Sequence, residues 1–181
     1  MKLNTERLKL DLLNVSSVNL VLDYFIKNEE FLKKYEATKP DLFHTEAFMI
    51  SMINSDIYEY YQGTRCKFYI LKKEEPQRVI GTVPLIEIVR GCFQSCFLGY
   101  RLDKDEINKG YMTEAIKAIV DFGFDNMKLH RIEANIMPWN KPSLKVVEKL
   151  GFRDEGIAQK YLKINGKWED HRHMVILNEE V

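Results

Sequence analysis

Residues 98–156 carry a strand, a polar loop, a helix, a second strand and a second helix in unbroken succession, and this order constrains the fold more than any other feature of the chain. The loop over 103–109 feeds Gly110 and then a helix over 111–127, in which Met112, Ile116, Ile119, Val120 and Met127 share one face. A loop entering a helix points unpaired N–H groups at one spot, where the helix dipole also favours an anion. Gly110 permits a positive φ and a close backbone approach, and Lys109 adds a cation. The loop therefore reads either as an anion site suited to a pyrophosphate or as a plain turn with a solvated Lys. Residues 131–137 read as a short strand. Asn140 is a good cap for the next helix, whose first turn tolerates Pro142. Leu144, Val147 and Leu150 form its buried stripe, and Gly151 ends it in a left-handed conformation.

Upstream, residues 7–13 alternate, with Leu8, Leu10 and Leu12 on one face of a strand. Val15-Ser16-Ser17 opens a helix bearing Val18, Val21, Leu22 and Phe25, with a Ser cap. A second helix over 45–61 carries Phe48, Met49, Met52 and Ile53. Residues 67–71 (KFYIL) and 79–89 read as strands around a turn at 74–77, with Gly81 at a bulge. Arg90-Gly91 leads into a strand over 96–102. Residues 152–164 and 167–177 are strands joined by Asn165-Gly166, a type I′ hairpin signal. No repeat, low-complexity stretch or flexible linker divides the 181 residues, so one domain over 1–181 is expected.

Lys plus Arg and Asp plus Glu both number 27, and this balance speaks against bulk binding to nucleic acid or an anionic membrane. No secretory signal or membrane-length apolar run is present, which points to a cytoplasmic protein. Cys66, Cys92 and Cys96 form no paired motif, and His171 and His173 alternate on a strand without a third ligand, so no metal is expected.

The segments LGYRLDKDEINKGYMTEA and HRIEANIMPWNKPSLKVVEKLGFRDEG together resemble the GNAT superfamily of N-acetyltransferases, and especially its Rim-type (RimJ/RimL-like) branch that acetylates ribosomal proteins. The resemblance implies an α/β (α+β) fold: a central mixed, mostly antiparallel sheet flanked by helices, with two adjacent parallel strands splayed apart. It implies acetyl-coenzyme A as co-substrate. Arg101 and Leu102 then lie where the strand backbone bonds the pantetheine arm. The main chain of Asn108, Lys109, Gly110, Tyr111, Met112 and Thr113 cradles the pyrophosphate. Asn140 contacts the arm and Ser143 faces the sulfur. Ile107 and Met112 depart from the polar and small residues usual in this loop, and Arg101 stands in place of an aromatic.

Acetyl transfer by direct attack requires a neutral amine. An α-amine has a pKa of about 7.7–8.0, against about 10.4 for Lys, so an N-terminal acceptor needs little help from a base. Glu133 is the candidate base or water-positioning group, with Asn135 on the same face; a structural ion pair with Arg131 is the competing reading. Ser143 is a candidate donor to the sulfur or an early-helix hydrogen-bond partner. Tyr161 is an alternative acid or a packing residue. The residue at Leu162 lacks the carboxylate that some ribosomal-protein acetylating relatives carry nearby. Three roles stay open: acetylation of a protein N-terminus, such as that of a ribosomal protein; acetylation of a small amine such as a polyamine, amino acid or antibiotic; and non-catalytic coenzyme A binding. A homodimer also stays open.

Overall fold

The computed structural model describes residues 1–180. In chain order its elements are β1 (Lys2–Asn4), β2 (Leu8–Asp11), α1 (Val18–Leu32), α2 (Glu46–Gln62), β3 (Cys66–Lys72), β4 (Glu75–Val89), β5 (Ser95–Leu98), β6 (Arg101–Leu102), α3 (Tyr111–Asp125), β7 (Arg131–Ile136), α4 (Lys141–Lys149), β8 (Arg153–Ile164) and β9 (Lys167–Leu177). The strands form one sheet in the order β1-β2-β3-β4-β5-β7-β9-β8, with β6 paired to β4 off that path. Among the described strands, β5 and β7 alone run parallel. This is the mixed, mostly antiparallel sheet with flanking helices that the resemblance implied.

Strand β3 explains the layering. Every residue of it is buried, because both faces of the sheet are covered there. Phe68 and Ile70 face α3, joining Leu8, Leu10, Ile80, Ile116 and Ile119 in the larger core. Tyr69 and Leu71 face the other way and join Val21, Phe25, Met49 and Ile53 of α1 and α2. On β7 the even positions Ile132, Ala134 and Ile136 belong to the α3–α4 side. Glu133 and Asn135 therefore lie on the opposite face, by the period of two.

Several boundaries differ from the sequence expectation. The first 3-10 turn is capped by Asn14, whose Oδ1 accepts from the Ser16 N–H, and Ser17 makes no side-chain cap bond. The hairpin between β3 and β4 turns on Lys73-Glu74 alone, and Glu75, Pro76 and Gln77 already belong to β4. Lys2–Asn4 adds an edge strand through pairing with β2. The strand expected over 96–102 is interrupted at Gly99-Tyr100.

That interruption marks the parting of two neighbours. Strands β5 and β7 pair only at Ser95↔Arg131, Cys96↔Ile132 and Phe97↔Glu133. Beyond that point β6 follows β4, with Gly81↔Leu102 and Thr82↔Arg101. Strand β7 follows β9 out to Ile136↔Arg172. A wedge opens between them, edged by backbone that has a ladder partner on one side only. Gly81 makes the close approach of β6 possible, since a Cβ there would lie 2.4 Å from the Arg101 carbonyl oxygen. Gly81→Ala is expected to push β6 away and destabilise the fold by about 1–3 kcal/mol. A denaturation midpoint equal to wild type would contradict this.

Candidate active site

The loop at the wide end of the wedge is held by buried acids. Asp103 donates its N–H to the Ile80 carbonyl at 2.7 Å, and its carboxylate takes Lys27 Nζ at 2.8 Å. The Lys104 N–H reaches Asn28 Oδ1 at 2.9 Å. Glu106 accepts from Arg78 and from Lys109, the latter at 3.0 Å, and lies 3.4 Å from Lys72 Nζ. Burial works against its ionisation, but the bonds from Arg78 and Lys109 and the charges of Lys72 and Arg78 outweigh that. They hold the Glu106 carboxyl at about 2, down from an ordinary 4.5.

Within this frame Asn108 and Gly110 both adopt left-handed backbone, at φ 61° and 82°. Two such residues flanking one other turn successive N–H groups toward a common point. Helix α3 then begins with Gly110 as N-cap and no side-chain cap bond. The N–H groups of Tyr111, Met112 and Thr113 thus have no acceptor within the helix. The arrangement suits an anion. The cation beside it is one that the sequence reading missed. Arg7 donates through Nη1 to the Lys109 carbonyl at 3.0 Å and lies 4.5 Å from the centre of the Tyr111 ring. Its Nε is fixed on Glu114 at 2.7 Å. Lys109, the expected cation, has its ammonium on Glu106. Arg7 precedes Lys109 by 102 residues, so no local pattern could have announced it.

At the α3–α4 side of the wedge, Asn140 caps α4 by accepting the Ser143 N–H at 3.4 Å. The Ser143 hydroxyl and Tyr100 Oη lie 2.6 Å apart, tying the break between β5 and β6 to the first turn of α4. Burial pushes the Tyr100 phenol above its ordinary value, so it keeps its proton and can act as a hydrogen-bond donor. Tyr100 was likewise not singled out in the sequence.

On the opposite face, Glu133 sits at the last pair before the strands part. It is buried, accepts from Arg131 Nη2 at 2.8 Å, and meets His173 Nδ1 at 2.5 Å. Arg131 also grips Glu155 at 2.7 Å. The ion pair weighed for Glu133 is thus present, joined by a histidine forty residues further along the chain. Tyr161 lies with its ring centre 4.9 Å from that of His173 and 6.0 Å from that of His171. It reaches them because β8 advances from Ala158 to Leu162 while β9 steps only from His171 to Glu169. Asn135 Oδ1 is buried and has no hydrogen-bond partner.

The Arg101 side chain also points to this second face, where it bonds Glu36. Glu36 lies 2.8 Å from Lys39 Nζ, and its carbonyl accepts the Asn165 N–H at 2.8 Å. Tyr35 stacks on Trp139 with ring centres 5.6 Å apart. The linker between α1 and α2 thereby reaches the β8–β9 hairpin. Leu102 packs against the larger core. Burial pushes the thiols of Cys66 and Cys96 up to about 12, which makes them poor nucleophiles. No described helix is long and apolar enough to cross a membrane.

A model of the acetyltransferase (GNAT) domain matches residues 7–153. A probable N-acetyltransferase, YjcK of Bacillus subtilis (strain 168), is 46% identical over 144 residues, which span 72% of this chain and 80% of that protein. The crystal structure of ribosomal-protein-S5-alanine acetyltransferase from Vibrio fischeri superposes with a TM-score of 0.94 at 31% identity, covering 99% of this chain and 98% of that one. The structure of Mycobacterium smegmatis RimJ in complex with CoA-disulfide gives a TM-score of 0.89 at 25% identity, covering 96% and 83%.

The depressed Glu106 carboxyl sets a pH dependence. Its folded value lies below the unfolded one, so its contribution to stability is complete above about 4.5 and is lost as pH falls toward about 2. Glu106→Gln should therefore lower the denaturation midpoint at neutral pH, with the gap from wild type closing across that acid window. A gap that stays constant down to the acid end would contradict the assignment.

Proposed function

The chain belongs to the GNAT acetyltransferase family, and from that premise we propose that it transfers acetyl from acetyl-coenzyme A to the α-amine of a protein N-terminus. The observation that carries the proposal is the wedge itself: two strand edges with free backbone groups, leading from an uncapped helix N-terminus at the wide end to a half-buried hydroxyl pair further in. A pantetheine arm carries amide groups that can complete those edges, and its pyrophosphate matches the cluster of N–H groups. Ribosomal proteins are the acceptor class to which the likeness to the S5-alanine acetyltransferase points. With such an acceptor the enzyme works in the cytoplasm, as a single domain.

In this reading the main chain of Asn108, Lys109, Gly110, Tyr111, Met112 and Thr113 holds the pyrophosphate, with Arg7 adding charge. The backbone of Arg101 and Leu102 bonds the arm on one side, and Asn140 bounds it at the start of α4. Acetyl-coenzyme A supplies an activated thioester carbonyl. Strand N–H groups aimed at its oxygen stabilise the charge that develops there. The Ser143 and Tyr100 hydroxyls donate toward the sulfur as it leaves. Glu36, Arg101 and Lys39 line the other face, on which the linker and the hairpin enclose an approach for the amine. Holding both partners in one cleft supplies much of the rate through orientation.

Two outcomes are expected. Gly110→Asp sets a carboxylate against the N–H cluster and forces a Cβ onto a left-handed position 3.3 Å from Arg7 Nη2. It should weaken acetyl-coenzyme A binding at least tenfold by calorimetry, roughly 1.4 kcal/mol or more; unchanged affinity removes the loop from this role. In a mixed pool of peptides and small amines, mass spectrometry should find acetyl on peptide α-amines. Products acetylated only on Lys side chains or small amines would sink the N-terminal reading, and cofactor binding without any product would leave a binding module.

A further inference from the structure

The sequence reading placed the base on Glu133, but that carboxylate is already engaged by Arg131 at 2.8 Å and His173 at 2.5 Å. We propose, resting on the acetyltransferase reading above, that His173 is the catalytic base that takes the proton from the attacking amine, and that Glu133 is its positioning residue. Nothing in the primary structure favoured this pair over a surface histidine; the geometry does.

Four observations carry it. The first is the bond. A carboxylate offers only acceptors, so the His173 Nδ1 in contact with Glu133 carries the hydrogen, and in the neutral ring the lone pair falls on Nε2. The Arg131 guanidinium, itself fixed on Glu155, keeps the carboxylate turned toward the ring. This is the arrangement of a base oriented by a third group.

The second is place. His173 pairs with Asn135 across β7 and β9, two positions past Glu133, where β7 no longer has β5 beside it. The imidazole thus stands one strand behind the wedge, on β9, level with the stretch of β7 whose other edge is free. It lies on the face away from α3 and α4, and on the side where Arg101 meets Glu36. That is the approach assigned to the amine.

The third is the held ring. Tyr161 packs edge-on against it at 4.9 Å, in a bulge fixed by the Lys160 N–H on Asp170 Oδ1 at 2.8 Å. The side chain still keeps 24% of its surface exposed, so a substrate can reach it. The neighbouring His171 is less suited. It is buried, and its Nδ1 bonds the Glu169 carbonyl.

The fourth is Asn135. Its buried Oδ1 has no partner, next to His173 in the pairing register. An unsatisfied buried acceptor is costly, and a turn of the side chain toward the cleft would let an amine N–H satisfy it.

The acceptor nitrogen forms a bond to the thioester carbonyl carbon, and the carbon–sulfur bond breaks with its electron pair going to sulfur. The proton from nitrogen passes to His173 Nε2 and from there to solvent; the leaving thiolate is held by hydrogen bonds from the Tyr100–Ser143 hydroxyl pair, which keep their protons, and takes its own proton from solvent.

The test uses the full chain and the peptide it acetylates best. His173→Ala should lower kcat about a hundredfold while the KM for acetyl-coenzyme A and the denaturation midpoint stay near wild type. Added imidazole should restore much of the lost turnover. His173→Gln, which preserves polar bulk against Glu133, should be as slow as His173→Ala and supplies the reading if the alanine variant fails to fold. A wild type that is active alongside a fully active His173→Gln overturns this inference and leaves the acetyltransferase reading intact. A slow His173→Ala that imidazole does not rescue also overturns it. A wild type that acetylates nothing in the pool overturns both.

Discussion

Two parallel strands run together for three residue pairs and then part, and most of the molecule is arranged around that parting. Backbone N–H and C=O groups that lose a ladder partner inside a protein are costly unless something else bonds them. The sheet bears this along one edge of β6 and one edge of β7. It does so by giving each a firm partner on its other side. Strand β6 is drawn onto β4 at the Gly81 contact, and β7 is zipped to β9 along its full length. An arm that is itself amide-bearing can complete both edges at once.

The charged residues around the wedge serve different ends. Asp103 and Glu106 are buried acids that lie close to where an anion is proposed to sit, and so appear misplaced. Each is matched by cations, and their bonds run to Lys27, Arg78, Lys72 and Lys109. They shape the loop so that Asn108 and Gly110 can hold left-handed backbone. Attraction for the anion then comes from main-chain N–H groups and from Arg7, which approaches from the first strands of the sheet. On the far face the pattern inverts. Glu36 and Glu133 each carry a cation and a contact to a distant segment, Asn165 in one case and His173 in the other.

Local signals were readable in the sequence to the extent that their physics is local. Asn140 caps α4 as expected, because a cap is decided within four residues. Asn165-Gly166 turns the last hairpin with both residues at positive φ. KFYIL forms β3 as its aromatic and β-branched residues suggested, whereas the burial of Lys67 depends on Asp56 from α2 and had no local signal. The gap in the strand at Gly99-Tyr100 had no such signal, since it depends on where β7 leaves. Arg7, Tyr100, Glu36 and His173 each gain their roles through partners brought in by the sheet order, and no spacing rule links them. Arg101 was read through its backbone, and its side chain proved to face the other side of the sheet.

Amide hydrogen exchange, followed with and without coenzyme A, measures the free edges directly. The account predicts slowed exchange on binding at Arg101 and Leu102 and at Gly110, Tyr111, Met112 and Thr113, with the β1–β2 hairpin unchanged. Binding that protects none of these amides, while slowing exchange elsewhere in the sheet, would contradict it.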